Sequence, residues 1–143
     1  MPSRPFRLTA PIVPENDLHE AVADMLRLMV LPPAQWSTFA AGHTWLPAPI
    51  AAKLYRLGMA VGWPDLLCVH DGHVFGIELK RRGGRLSKDR TVRTRHGRLR
   101  LVEGQQTIHP RLKEAGMKIA VCHTVDEVLD ALRAWGVPIR RTT

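Results

Sequence analysis

A chain of 143 residues with 45% hydrophobic residues and a formal charge of +8 is long enough for one domain with a real core, which excludes a disordered polyelectrolyte. No run approaches the ~20 apolar residues that cross a bilayer. The charge is local: Lys80 to Arg100 holds ten basic residues and one acid, Asp89, on an otherwise near-neutral chain, and such a segment points to a polyanion, most often nucleic acid.

Residues 1–14 read as a loose leader with four prolines and no apolar core of a signal peptide. Residues 15–30 predict a helix, because Leu18, Val22, Met25, Leu26 and Met29 fall on one stripe. Pro14 suits its first turn and Pro32-Pro33 ends it. Trp36 to Phe39 predicts a short strand, Ala41-Gly42 a break, and Pro49 to Leu57 a short helix stopped at Gly58. Leu66 to His70 and Val74 to Lys80 predict two strands joined by a tight turn at Asp71-Gly72. Gly83-Gly84 breaks the chain. Residues 85–103 are a basic excursion, in which Arg98-Leu99-Arg100-Leu101 alternates like an edge strand. Gln105 to Ala115 predicts a helix and Lys118 to His123 a strand. Thr124 with Glu127 then forms a capping box for a last helix carrying Val125, Val128, Leu129, Leu132 and Trp135. The expected fold is a single α/β domain over 15–138, with a central mixed sheet flanked by helices and a short tail at 139–143.

Within the hairpin, alternation sends Phe75, Ile77 and Leu79 to one face and Gly76, Glu78 and Lys80 to the other, where Gly76 leaves room. A turn at Asp71-Gly72 sets residue 66 opposite about residue 77, so Asp65 comes close to Glu78. Two ionised carboxylates at that distance repel unless a cation sits between them. Oxygen ligands suit Mg²⁺, and a lysine beside them suits an attacking water or a phosphate oxygen. Glu15 projects on the Leu18–Val22–Leu26 side of its helix, where a carboxylate needs a polar cleft, or else simply favours the first helical turn.

These motifs, Glu15-x-x-Leu18-His19, Gly62-Trp63-Pro64-Asp65, Ile77-Glu78-Leu79-Lys80 and a helix opened by Gln105, resemble in their order the PD-(D/E)XK nuclease superfamily. More narrowly the chain is similar to the virus-type replication-repair nuclease (VRR-NUC) family, in its small standalone phage and prophage form, over roughly residues 15–138. The resemblance implies a restriction-endonuclease-like core and hydrolysis of DNA phosphodiester bonds with Mg²⁺ or Mn²⁺. It implies Asp65, Glu78 and the Leu79 carbonyl as metal ligands, and Lys80 as the residue that positions or activates water. Glu15 would be an outer carboxylate acting through water, and Gln105 an orienting residue. Standalone members are associated with branched DNA and with dimers. One departure stands out: about sixteen extra residues separate the glycine-rich turn and Leu86-Ser87 from Gln105, which leaves Gln106 as the alternative. The extra segment is the basic one and reads as a DNA-contacting loop or β-ribbon through Arg81, Arg82, Arg85, Lys88, Arg90, Arg93, Arg95, Arg98 and Arg100.

Other constellations carry less. Cys68-x-His70-x-x-His73 spans the hairpin and lacks the second pair of a zinc site. His19 reads as a helix-surface histidine, with an approach to the site as the alternative, and His109 and His123 have no obvious partners. Trp36, Trp45 and Tyr55 suit packing more than base stacking. Cys68 and Cys122, both in apolar runs, read as buried thiols, which fits a reducing cytoplasm. The expected function is a metal-dependent DNA endonuclease for branched or junction DNA, working as a homodimer in phage replication or repair. The alternatives are a nucleic-acid-binding module without chemistry and a subunit of a replication complex with a helicase partner.

Overall fold

The computed structural model describes residues 14–39 and 46–142. The expected leader up to Val13, the break at Ala41-Gly42, Trp45, and Thr143 at the end of the tail lie outside the described residues. The elements in order are α1 (Glu15–Met29), β1 (Gln35–Thr38), α2 (Ala48–Arg56), β2 (Leu66–His70), β3 (His73–Leu79), β4 (Arg90–Arg93), β5 (Leu99–Val102), α3 (Gln105–Glu114), β6 (Lys118–Cys122) and α4 (Val125–Ala134). None of the helices is long and apolar enough to cross a membrane, among the described residues.

The chain is a mixed α/β domain. Four strands form one sheet in the order β1-β2-β3-β6, antiparallel except for the parallel pair β3–β6. The hairpin turn takes positive φ at both Asp71 (49°) and Gly72 (73°), as the tightest hairpin turns require. That turn places Leu66 opposite Ile77, so the expected register holds. The parallel pair needs a long crossover, and the basic segment and α3 supply it.

One sheet face holds the core. Leu66, Cys68, Phe75, Ile77, Leu79 and Cys122 meet Leu18, Val22 and Leu26 of α1 and Val128 and Leu132 of α4, all buried. Each aliphatic side chain of this kind contributes roughly 1.5–3 kcal/mol by leaving water. Phe75 stacks on Trp135 with ring centroids 5.0 Å apart. The Thr124 hydroxyl accepts from the Glu127 N–H at the start of α4, half of the expected capping box. The Glu127 carboxylate instead accepts from the N–H of His123, at the end of β6. Residues at the start of the expected tail are tied in, because Ile139 pairs with Val30 and the Arg140 N–H donates to the Met29 carbonyl. The amphipathic helix α2 buries none of its residues.

The basic segment folds as a two-stranded ribbon outside the main sheet, with Arg90 opposite Val102 and Arg93 opposite Leu99. Its base is clamped to the start of α3. The Asp89 carboxylate accepts from the Gly104 N–H (2.7 Å) and the Thr107 hydroxyl (2.7 Å), and the first of these bonds holds its pKa below the usual carboxylate value. The Gln106 N–H donates to the Ser87 carbonyl. Gly104 has no room for a side chain, since a Cβ there would lie 2.3 Å from the Lys88 carbonyl carbon.

Candidate functional site

The second sheet face positions the site. The expectation that Gly76 leaves open room is corrected: Pro64 and Met117 occupy that space, and a Cβ at 76 would lie 2.6 Å from Pro64 Cγ. The fully buried Pro64 therefore lies flat on β3 and delivers the next residue, Asp65, to the strand's end. There the Asp65 Oδ2 accepts from the Leu79 N–H (2.7 Å). Its main chain is held too, because its carbonyl accepts from the Phe39 N–H (2.7 Å) and the Thr38 hydroxyl (3.2 Å).

Glu78 is the centre of the arrangement. It faces away from the hydrophobic core, as alternation predicts, yet it is only 1% exposed because α3 covers it. Its Oε1 accepts from Lys80 Nζ (3.0 Å) and from Gln105 Nε2 (2.5 Å). Its Oε2 has no hydrogen-bond partner among the described residues. Burial, and then the charge of Asp65, push its pKa from 4.5 up to about 7, against the pull of Lys80 and Gln105.

Lys80 lies just past β3, clamped through its backbone. Its N–H donates to the Cys122 carbonyl (3.0 Å), and its own carbonyl accepts from His123 Nδ1 (3.0 Å). Its ammonium reaches back to Glu78 and across to Glu15 Oε1 at 3.8 Å. Glu15 is half exposed, so this longer contact is worth little in energy and serves to mark direction. Gln105 also accepts from the Ser87 N–H (3.2 Å), joining the ribbon's base to Glu78. Gln106 turns away and donates to the Leu86 carbonyl (3.2 Å), so of the two glutamines it is Gln105 that touches the carboxylate.

Glu15, Asp65, Glu78, Lys80 and Gln105 border one cleft of about 360 Å³. Lys88 and Arg90 line it from the ribbon's base, while Arg81, Arg82, Arg85, Arg93, Arg95, Arg98 and Arg100 do not. Those arginines stand exposed along the following turn and the ribbon, and Arg93 donates to the Gly97 carbonyl at the ribbon tip.

Three residues beyond the expected site set lie at or beside the site. His19 is not merely a helix-surface residue: it lines the cleft, and its Nε2 lies 2.7 Å from the Thr38 hydroxyl. Trp63 also lines the cleft and stacks on Phe39 at 5.3 Å. His109 is buried with Nε2 4.0 Å from Glu78 Oε2. Its signal was its spacing, since position 109 is four residues after Gln105 and shares its helix face. Of the aromatic candidates, Trp36 packs on the core and carries the Arg27 guanidinium over its ring at 5.9 Å, and Tyr55 sits on α2 away from the cleft.

Among the described residues no three His, Cys, Asp or Glu side chains are grouped so as to hold a metal ion. The donor set is instead an open one. It comprises two neighbouring carboxylates, one with an orphaned buried oxygen, and the backbone of Leu79 between them. That set fits a hard divalent ion that keeps waters or substrate oxygens in its remaining positions. No protein-family model, curated protein or solved structure matches the chain.

Proposed function

We propose that the chain is a divalent-metal-dependent DNA endonuclease built on a PD-(D/E)XK-type core of the VRR-NUC kind. One observation carries the reading: Asp65 and Glu78 meet at the end of β3, with Lys80 and Gln105 both bonded to the Glu78 carboxylate, in a cleft that Lys88 and Arg90 line from the base of the basic ribbon. A buried carboxylate with a pKa near 7 costs stability, and such costs cluster where chemistry is done.

Asp65 and Glu78 would hold the ion, Mg²⁺ or Mn²⁺, with the Leu79 carbonyl as a further oxygen. The ion would supply Lewis-acid charge at the phosphate and acidify water. Lys80, held by its backbone and directed by Glu78 and Glu15, presents an ammonium where negative charge develops on the phosphoryl oxygens. Gln105 fixes the Glu78 carboxylate and is itself fixed by Ser87, so the ribbon's base and the site move together. The ribbon arginines grip backbone phosphates without reading bases, which makes binding fall steeply with salt. Branched DNA cut on both strands needs two such sites, hence a homodimer. A helicase partner would place the chain in replication or repair, and co-purification tests it.

The deciding assay uses the purified full chain on linear, nicked, flap and four-way-junction DNA with Mg²⁺, Mn²⁺ or EDTA. Cleavage is expected with either ion and not with EDTA, and Glu78→Ala and Lys80→Ala should bind DNA without cutting it. Full activity in a pure Glu78→Ala preparation refutes the assignment. The exposed arginines of the ribbon would serve equally in a second reading, a DNA-binding module without chemistry. It predicts binding that ignores chelator and no cleavage of any substrate.

A further inference from the structure

We propose that Leu99 and Leu101 form an apolar wedge that stacks on the bases laid open at a DNA branch point, so that the ribbon selects branched over continuous duplex. The inference rests on the DNA reading above and deepens it. Leu99 is 68% exposed and Leu101 61%. They stand two residues apart on β5 and so share one face of the ribbon, where the register sets Arg93 opposite Leu99 and Thr91 opposite Leu101. All four of these residues are exposed.

Packing does not account for the two leucines. The other ribbon face carries Val92 and Val102, both partly buried, and its first cross-strand pair, Arg90 with Val102, borders the cleft. The ribbon is held at its base by polar bonds, from Asp89 to Gly104 and Thr107. A lone exposed leucine is ordinary. Two side by side on the open face of a two-stranded ribbon make an apolar patch that adds nothing to the fold, and such patches mark contact surfaces.

Charge decides what covers them. Arg93 lies within the face, and Arg95, Arg98 and Arg100 stand exposed in the turn and strand beside it. A second copy would set like charges against each other, which disfavours ribbon on ribbon. Nucleic acid complements both features, with phosphates for the guanidinium groups and flat base faces for the leucines. It is favoured over an anionic membrane because Lys88 and Arg90 carry the basic surface on into the cleft that holds Asp65 and Glu78. A strand of DNA can enter that cleft, and a flat bilayer cannot.

Geometry then chooses the branch. The leucines point away from the face that borders the cleft, so a strand in the cleft and the bases met by the leucines lie on opposite sides of the ribbon. A substrate whose arms divide around the ribbon offers both. An apolar wedge in a continuous duplex must first break base stacking, whereas at a branch the stack is already broken.

The test uses the full chain in EDTA, which separates binding from cleavage, with linear duplex and four-way-junction DNA carrying 2-aminopurine at the branch-point step or its linear equivalent. The native chain should prefer the junction about tenfold and change the fluorescence of the branch-point base. Leu99→Thr combined with Leu101→Thr keeps strand propensity and removes the wedge. That variant should lose both the preference and the fluorescence change, with linear-duplex affinity within about twofold of native, whereas the paired Leu→Met variant should retain both effects. Thermal melts confirm folding, and Leu101→Thr alone serves if the threonine pair does not fold. Equal affinity for junction and linear DNA, or a preference that survives the threonine pair, overturns the inference and leaves the nuclease reading standing. So does leucine-dependent binding to phosphatidylserine vesicles without any junction preference. Leucine-dependent junction preference with no cleavage once Mg²⁺ is added removes the chemistry and keeps the wedge. A native chain that binds no DNA of any shape removes both.

Discussion

Replacing Glu78 by Gln should make the protein more stable while removing the proposed metal-dependent cleavage. The native pKa of about 7 against 4.5 is a shift worth on the order of 3 kcal/mol, at about 1.4 kcal/mol per unit. The sign follows from linkage. Below about pH 4.5 the carboxyl is protonated in both states and contributes nothing. Between 4.5 and 7 the unfolded chain ionises first, so stability falls as pH rises, and above 7 the full penalty persists. Gln keeps the shape and an oxygen for Lys80 Nζ and Gln105 Nε2. At pH 8 with EDTA, denaturant unfolding should show Glu78→Gln more stable by about 3 kcal/mol, or roughly 10 °C in Tm. At pH 4.5 the two proteins should differ little. A variant less stable at pH 8, or one with the same pH dependence as the native chain, refutes the account of a buried, destabilising carboxylate. The gain is the trade-off expected where a site is kept at the expense of the fold.

Other outcomes follow from the same geometry. Because a protonated Glu78 cannot ligate, apparent Mg²⁺ affinity should fall as pH drops below about 7, approaching tenfold per unit, with proton release on binding seen by calorimetry in two buffers; affinity flat from pH 5.5 to 8 counts against Glu78 as a ligand. Gly104→Ala forces a methyl against the Lys88 and Ser87 carbonyls and should cost about 1–3 kcal/mol, with faster tryptic cleavage in the ribbon than elsewhere. Replacing Arg95 and Arg98 together by Ala should lower duplex affinity alike for all sequences. It should also flatten the slope of log K against log salt by about 0.9 for each phosphate left without its arginine, measured by fluorescence anisotropy without divalent ion. An unchanged slope would remove the ribbon from the interface.

Much of the architecture was legible in the residues. The stripe on α1, the capping threonine of α4 and the alternation of β3 are local signals, and each element lies within a residue or so of its expected bounds. The Asp71-Gly72 turn determined the hairpin register, which sets Leu66 opposite Ile77 and so brings the neighbouring Asp65 toward Glu78. The ribbon was half visible: Leu99 and Leu101 alternate, but Arg90-Thr91-Val92-Arg93 has a single apolar side chain and becomes a strand only by pairing with β5. What the sequence could not decide are facts about distant partners. Glu78 is buried because α3 lies over it. Gln105 rather than Gln106 meets it, across 27 positions, and Pro64 fills the space above Gly76. His109 faces Glu78 across 31 positions, and His19 reaches Thr38 across 19. Periodicity reports which side of an element a residue takes, and nothing about which other element comes to cover it. That choice is made by packing, and with it the burial that moves the Glu78 carboxyl to a pKa near 7.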